Sequence, residues 1–130
     1  MTDADELRNL LQRYARAADD RDVDALAAVF HPEATIDGAR GSMTLDAWLD
    51  TMRGPRAFPT SMHVLGDPLI ELPDGKDTGV LDTYAVVYQL GDRDAGQDDL
   101  TLGVRYVDGV RRVDGRWRIH HRAATTLWMR

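Results

Sequence analysis

The pattern of hydrophobic residues changes near residue 60, and this change most limits the folds open to the chain. Before it, apolar residues recur every three or four positions, which is typical of amphipathic helices. After it, turn-forming residues separate four segments rich in Val, Tyr, Thr, Leu and Trp, at 62–72, 79–90, 99–110 and 116–128. Helices followed by strands predict an α+β fold, with the helices packed on one face of a curved antiparallel sheet.

Three helices are predicted before residue 60. The first has a buried apolar stripe over 7–18, and the second covers 23–30 and is stopped by the His-Pro pair that follows. The third is begun by Thr44, a residue type that caps helices, and ends at Gly54. Between the second and third helices we expect a short strand over 34–37 and a glycine-containing turn.

Composition narrows the class of protein. The 130 residues fit one domain over 1–130, and 43% hydrophobic with 29% charged residues is ordinary for a globular protein. The net charge of −6 argues against nucleic acid or an anionic membrane as partner, since both bind basic surfaces. The absence of cysteine excludes disulfides and thiolate chemistry. An acidic start and the lack of a membrane-length apolar run predict a cytoplasmic protein.

Asp19 and His63 are the residues best suited to acid–base chemistry. Asp19 lies near the end of the first predicted helix, and His63 opens the first strand-like segment. A carboxylate that accepts a hydrogen bond from a histidine fixes the tautomer of the ring and stabilises its protonated form. The structural alternatives are a helix-end acid and a strand histidine satisfied by the backbone. Because a helix dipole opposes a carboxylate at its C-terminus, Asp19 is expected to have a compensating partner.

Large apolar residues around the third helix predict a pocket. Trp48, Met52, Phe58 and Met62 would line its mouth if this helix acts as a lid, although core packing is the commoner role for such residues. A largely apolar pocket with few polar groups suits a ring-sized or terpenoid-like small molecule. A metal site is not expected, because no pair of histidines or acids shows ligand spacing on one face.

The last predicted strand presents two candidates for the pocket. Successive side chains of a strand point to opposite faces of the sheet. Strict alternation therefore puts His121 on the same face as Trp117 and Ile119, and Arg122 on the opposite face. Either Arg122 or His121 should therefore face the pocket, unless a β-bulge resets the register. Both alternatives stay open at this point.

Several local runs, taken together, resemble the SnoaL-like branch of the nuclear-transport-factor-2-like superfamily. They are Tyr14-x-x-Ala17-x-Asp19-x-Arg21-Asp22, Leu26-x-x-x-Phe30-x-Pro32-x-Ala34, Thr60-x-x-His63, Tyr106-x-Asp108 and Asp114-Gly115-x-Trp117-x-Ile119-x-x-Arg122. The resemblance covers nearly the whole chain. It implies a cone of curved antiparallel sheet, closed by the amino-terminal helices, with a pocket in its mouth. It also implies a homo-oligomer, either a dimer or a trimer.

The resemblance also implies a chemistry. In this branch, scytalone dehydratase, bile-acid 7α-dehydratase and lindane dehydrochlorinase eliminate water or chloride with an Asp–His dyad and no cofactor. Asp19 and His63 stand at the positions of that dyad, and Tyr14 and Arg122 match residues beside it. The chain departs from the scytalone enzyme in two places: a second pocket histidine is missing near Tyr88 or Gln89, and the tyrosine beside the aspartate is replaced by Ala18. Scytalone itself is therefore not implied as the substrate.

The leading hypothesis is a cofactor-independent lyase of the dehydratase type that acts on a small hydrophobic or ring-containing substrate. In it, His63 takes the proton and Asp19 orients the imidazole. The candidate substrate-binding residues are Tyr14, Arg122, Trp48, Met52, Phe58, Tyr88 and His121. Two alternatives remain: a ketosteroid-isomerase-like or polyketide-cyclase-like enzyme, in which the aspartate alone is the base, and a non-catalytic domain that binds a small ligand.

Overall fold

The computed structural model describes residues 1–73 and 76–130, which form three helices and a curved, unclosed sheet of seven strands. The helices are α1 (Asp3–Asp20), α2 (Val23–Val29) and α3 (Leu45–Arg53). The strands are β1 (Phe30–Gly38), β2 (Gly41–Thr44), β3 (Thr60–Leu65), β4 (Leu69–Glu71), β5 (Thr78–Leu90), β6 (Leu100–Val113) and β7 (Arg116–Met129). The predicted α+β class is confirmed.

The strand order places the long carboxy-terminal strands at the centre of the sheet. The order is β2-β1-β7-β6-β5-β3, and β4 pairs with β5 beside β3. All neighbouring pairs are antiparallel except β1 with β7, which run parallel. The parallel pair is possible because β1 and β7 are far apart in sequence, so the chain between them can cross over.

Helix boundaries follow the capping residues in the sequence. Thr2 begins α1 through a capping box, in which its hydroxyl accepts from the backbone of Asp5 and the Asp5 carboxylate accepts from the backbone of Thr2. Arg21 ends the helix in the left-handed conformation, with φ of 52°. Asp22 and Thr44 cap α2 and α3 in the same way as Thr2, each through a side-chain oxygen.

The core lies between the helices and the concave face of the sheet. From α1 it receives Leu7, Leu10, Leu11, Tyr14 and Ala18, all buried. The sheet contributes buried residues that alternate along each strand, such as Leu81, Thr83, Ala85 and Val87 on β5. Full burial of an aliphatic side chain of this kind stabilises the fold by about 1.5–3 kcal/mol.

Several boundaries differ from the predictions. Phe30 is the first residue of β1 rather than part of α2, because its backbone is extended and it pairs with Ile119 of β7. The segment 62–72 forms two short strands, since the pairing with β5 is interrupted between Leu65 and Leu69, where Pro68 has no N–H to donate. The turn predicted at 73–75 lies partly outside the described residues. A glycine-containing turn is expected after the strand at 34–37. The chain there also forms strand β2, which pairs with β1 in a hairpin.

A β-bulge in β7 sets the direction of the Arg122 side chain. The pairing partners of Val110 and Gly109 are Ile119 and His121, so one extra residue is inserted on β7 between them. Trp117 and Ile119 are buried before the bulge, and Arg122 is buried after it. The bulge therefore resets the alternation and turns Arg122 to the same face as the apolar residues that precede it.

Candidate active site

Asp19 and His63 are in direct contact where the end of α1 meets the start of β3. The Nδ1 atom of His63 lies 2.6 Å from Oδ1 of Asp19. The backbone N–H of His63 also donates to the same carboxylate, with distances of 3.2 Å to Oδ1 and 3.0 Å to Oδ2. The Ser61 hydroxyl donates to Oδ1 at 3.0 Å. These donors are the compensating partners that the helix-end position of Asp19 requires.

This hydrogen bonding selects one tautomer of the His63 ring. An ionised carboxylate can only accept hydrogen bonds, so the Nδ1 atom facing Asp19 carries a proton. In the neutral ring, Nε2 then has the free lone pair, and it makes no hydrogen bond to any of the described residues. The side chains of His63 and Asp19 are only 10% and 19% exposed, so the pair is shielded from bulk water. The arrangement holds a base at one defined atom.

A cavity of about 220 Å³ opens beside the dyad. Its apolar wall comes from the ring of Tyr14 and from Ala18, Met52, Ala57 and Phe58, and its polar wall from Arg21, Arg56, Ser61, His63 and Gln89. Helix α1, the segment after α3, and strands β3 and β5 therefore each supply part of the wall. The volume is suited to a small ring compound.

Tyr14 separates the dyad from a buried ion pair. Its ring meets the His63 ring edge to face, with centroids 5.8 Å apart. On another side, the guanidinium carbon of Arg122 lies 3.9 Å from the centroid of Tyr14 and 4.1 Å from that of Tyr106. Arg122 is thus stacked between two tyrosine rings, where cation–π attraction favours the charged form.

Arg122 is held by a bidentate ion pair with Asp108. The Nε and Nη2 atoms donate to the two carboxylate oxygens at 2.8 and 3.0 Å, and the side chains of Arg122 and Asp108 are 2% and 0% exposed. Burial by itself would lower the pKa of Arg122, but the Asp108 carboxylate offsets this, and the net pKa is raised. Burial, followed by the proximity of Tyr14, raises the pKa of Tyr106 well above its ordinary value. Arg122 remains a cation, and Tyr106 remains a neutral phenol, at physiological pH.

The other sequence candidates lie in different places. Phe58 lines the dyad cavity, and Met52 lines both this cavity and a neighbouring one of about 410 Å³. Trp48 lines only the neighbouring cavity and packs edge to face on Phe30, with centroids 5.4 Å apart. Met62 is exposed, because it alternates with His63 along β3 and faces outward.

The dyad cavity is not lined by four of the predicted substrate contacts: Trp48, Tyr88, His121 and Arg122. Tyr88 is exposed on the outer face of β5, and the next residue, Gln89, lines the cavity instead. His121 is on the outer side of β7 and 42% exposed, where its ring contacts Thr35 at 2.7 Å and Asp37 at 3.3 Å. Of the two alternatives on the last strand, Arg122 faces the interior.

Sequence reasoning missed several residues of the cavity wall. Ser61 is two positions before His63, so the period of a strand places the two on one face, and that signal was available in the sequence. Arg21 and Arg56 flank the predicted helices without a pattern that distinguishes them from surface arginines. The register of β3 on β5 pairs Ser61 with Gln89. Only this register identifies Gln89, rather than Tyr88, as the residue of β5 that lines the cavity.

Other features of the described residues do not compete with this site. A larger cavity of about 590 Å³ lies along α1 and α2 and includes neither Asp19 nor His63. Within 1–73 and 76–130, no group of three or more histidines or acids is placed to hold a metal ion. None of the described helices is both long and apolar enough to cross a membrane.

The fold and the site together define a class: an open cone of sheet, closed by helices, with an acid–imidazole pair in its cavity. The chain belongs to the SnoaL-like domain family, whose match covers residues 1–123. Along its whole length it is 29% identical to an uncharacterized protein of Mycobacterium tuberculosis, of which the match covers 89%.

Solved structures of the nuclear-transport-factor-2-like superfamily share this fold. A superfamily protein from Salmonella enterica is 20% identical, with a TM-score of 0.79 and coverage of 95% of this chain and 89% of that one. A proposed scytalone dehydratase from Novosphingobium aromaticivorans is 20% identical, with a TM-score of 0.83 and coverage of 100% and 91%. The hexachlorocyclohexane dehydrochlorinase LinA-type3 from Novosphingobium barchaimii is 15% identical, with a TM-score of 0.82 and coverage of 96% and 86%. The structural neighbours thus include enzymes named for elimination reactions.

Proposed function

We propose that this protein is a cofactor-independent lyase that eliminates water, or another small leaving group, from a small ring-containing substrate. The observation that carries the proposal is the 2.6 Å contact between Nδ1 of His63 and Asp19 at the wall of a ring-sized cavity. Structural similarity to proteins named as a dehydratase and a dehydrochlorinase supports the same reaction type.

The proposed reaction begins with proton abstraction by His63. The Nε2 lone pair takes a proton from a carbon beside a carbonyl or an activated ring position. The electron pair of that C–H bond forms the new carbon–carbon double bond, while the leaving group departs from the adjacent carbon with its own bonding electrons. The imidazolium then returns its proton to the leaving group, so the products are an unsaturated compound and, for a hydroxyl group, water.

Asp19 acts on the imidazole rather than on the substrate. Its carboxylate accepts from Ser61, from the His63 backbone and from the His63 ring, with most of these contacts on Oδ1. Such a carboxylate orients the base and stabilises the imidazolium as it forms. A positioned base of this kind contributes about 10²- to 10⁴-fold to the rate, and electrostatic stabilisation supplies more. His63 lines the cavity whereas Asp19 does not, and this favours the dyad over an enzyme in which aspartate alone is the base.

Tyr14 is the proposed contact for the leaving group or the developing oxyanion. It lines the cavity next to His63, and the Arg122 cation stacks against its ring. Arg122 lies behind Tyr14 and is nearly fully buried, so its proposed part is to hold the tyrosine in place. Met52 and Phe58 supply apolar contact for the rest of the substrate.

The experiment follows proton abstraction without requiring the natural leaving group. Exchange of the acidic C–H protons of small cyclic ketones and β-hydroxyketones in deuterated water would be recorded by NMR, and loss of water would be followed in the same samples. We expect the wild-type protein to accelerate exchange with at least one compound and the His63→Ala variant to lose that acceleration while it remains folded. Equal exchange by wild type and His63→Ala would refute the role of His63.

The same assay distinguishes the Asp–His dyad from the rival mechanism in which the aspartate alone is the base. If Asp19→Asn were inactive while His63→Ala kept its activity, aspartate would be the base, as in the isomerase or cyclase alternative. If neither variant differed from a protein-free sample and the wild type showed no acceleration, the non-catalytic reading would be favoured.

A further inference from the structure

Two arginines in the wall of the dyad cavity have no acidic partner in the described part of the chain. Arg21 ends α1, and Arg56 lies in the segment that follows α3. Neither guanidinium lies within 4.0 Å of a carboxylate oxygen among the described residues, although Arg8, Arg53, Arg93, Arg105, Arg112 and Arg122 all do so. Arg21 is partly buried and Arg56 is exposed, and both are accessible from the cavity.

Backbone carbonyls hold both guanidinium groups in place. Arg21 donates from Nη1 to the carbonyl oxygen of Met52 at 3.0 Å, and Arg56 donates from Nε to that of Phe58 at 3.2 Å. Each contact uses one of five N–H donors and leaves the others for a ligand. The carbonyl of Met52 lies in the last turn of α3, where it has no hydrogen-bond partner within the helix. The hydrogen bond from Arg21 therefore also satisfies this carbonyl.

The two positive charges are close enough to affect each other. Partial burial lowers the pKa of Arg21, and the positive charge of Arg56 lowers it further. The acids adjacent to Arg21 in sequence, Asp20 and Asp22, line the groove on the other side of α1 rather than this cavity. An anion that enters the cavity would therefore relieve the repulsion between the guanidinium groups.

We propose that the dyad cavity takes an anionic substrate and that Arg21 and Arg56 bind its carboxylate. The assignment of that anion as a substrate rests on the proposed function, whereas its binding does not. Two guanidinium groups and the nearby Asp19 carboxylate sum to one positive charge, which matches a monoanion. Met52 and Phe58 provide an apolar wall for the ring, and His63 lines the same cavity.

The test compares a charged probe with a neutral one of the same shape. Binding of benzoate and of benzamide to the intact protein would be measured by calorimetry at low ionic strength. We expect benzoate to bind more tightly than benzamide, and added salt to remove part of that difference because the attraction is electrostatic. Equal affinity for the two compounds, or no binding of benzoate at millimolar concentration, would overturn the proposal.

Matched variants locate the binding groups. Arg56→Gln is expected to weaken benzoate binding about 10-fold or more, since a charge-assisted hydrogen bond is lost. Arg53→Gln makes the same charge change on a nearby exposed residue outside the cavity and should alter affinity less than about twofold, a rim-charge effect. Arg56→Lys keeps the charge and should recover part of the loss. Equal weakening by Arg56→Gln and Arg53→Gln would contradict a specific site.

A third variant keeps this proposal separate from the proposed chemistry. His63→Ala should retain benzoate binding, because it leaves both arginines in place. Benzoate binding without proton exchange in the wild type would uphold the anion site while the lyase mechanism failed. Proton exchange without selective benzoate binding would support the lyase mechanism and contradict the proposed anion site.

Discussion

The Asp19 carboxylate accepts hydrogen bonds from both the backbone N–H and the ring Nδ1 of His63. The same carboxylate therefore fixes the start of β3 against the end of α1 and fixes the tautomer of the ring. Structural and chemical roles cannot be fully separated at this residue. Substitutions of Asp19 should affect the free energy of unfolding as well as activity, whereas substitutions of His63 should act mainly on activity.

The Asp19→Asn variant tests this combined role. We expect the rate of proton abstraction to fall by about 10²- to 10⁴-fold, because the amide neither fixes the tautomer nor stabilises the imidazolium. The free energy of unfolding should fall by about 1–3 kcal/mol, since the amide satisfies fewer of the buried donors. Urea titration measures the second effect. Asp20→Asn, at the exposed neighbouring position, is the control and should change stability by less than about 0.5 kcal/mol.

The buried Arg122–Asp108 pair predicts strong coupling between two substitutions. Arg122→Met leaves the Asp108 carboxylate buried without a partner and should cost about 3–5 kcal/mol in the free energy of unfolding. The double variant Arg122→Met with Asp108→Leu removes both charges, so it should be more stable than the sum of the single changes implies. Additive losses in urea titration would show that the two groups do not interact as the structure indicates.

His120 predicts a small dependence of stability on pH. Burial, with added repulsion from Arg111 and His31, lowers the pKa of His120 in the folded state, although Glu33 acts in the other direction. The ring is therefore less protonated in the folded than in the unfolded chain, whose ordinary pKa is about 6.5. Its stabilising contribution is complete above that value and is lost as the pH falls toward the folded pKa. His120→Gln should reduce the pH dependence of the free energy of unfolding between pH 5 and 7. If the slope of that free energy against pH did not change, His120 would be excluded as its cause.

The outer face of the sheet predicts self-association. It exposes several large apolar side chains on β3, β5 and β7, most of which line one shallow groove: Met62, Val64, Tyr84, Leu127 and Trp128. Contiguous apolar surface of this kind commonly marks a protein interface, and a homo-oligomer is the expected occupant. Light scattering after gel filtration should show a dimer or trimer that Leu127→Lys shifts toward monomer. Val113→Lys, at an exposed apolar position at the end of β6, should not shift it, and a monomeric wild type would contradict the expectation.

Much of the architecture follows from local sequence signals. Periodicity and the cap at Thr44 place the helices, because these interactions lie within a few residues of one another. The parallel pairing of β1 with β7 could not be predicted in this way, since it joins segments far apart in sequence. Extended pairing with Ile119 also overrides the helical spacing that assigned Phe30 to α2.

The site shows the same division between local and non-local information. The types and positions of Asp19 and His63 suggest chemistry, but their contact depends on where α1 and β3 meet. Strand alternation left the direction of Arg122 open until the bulge in β7 was known. The choice of Gln89 over Tyr88 required the register of β3 on β5, which no pattern within one strand specifies.

The most direct test of the account is the protonation of the His63 ring nitrogens, measured by long-range ¹H–¹⁵N NMR at a pH where the ring is neutral. The hydrogen bond from Nδ1 of His63 to Asp19 predicts a protonated Nδ1 and an unprotonated Nε2 in the wild type, with this preference reduced in Asp19→Asn. A proton on Nε2 in the wild type, or the same tautomer ratio in both proteins, would contradict the claim that Asp19 prepares His63 as a base.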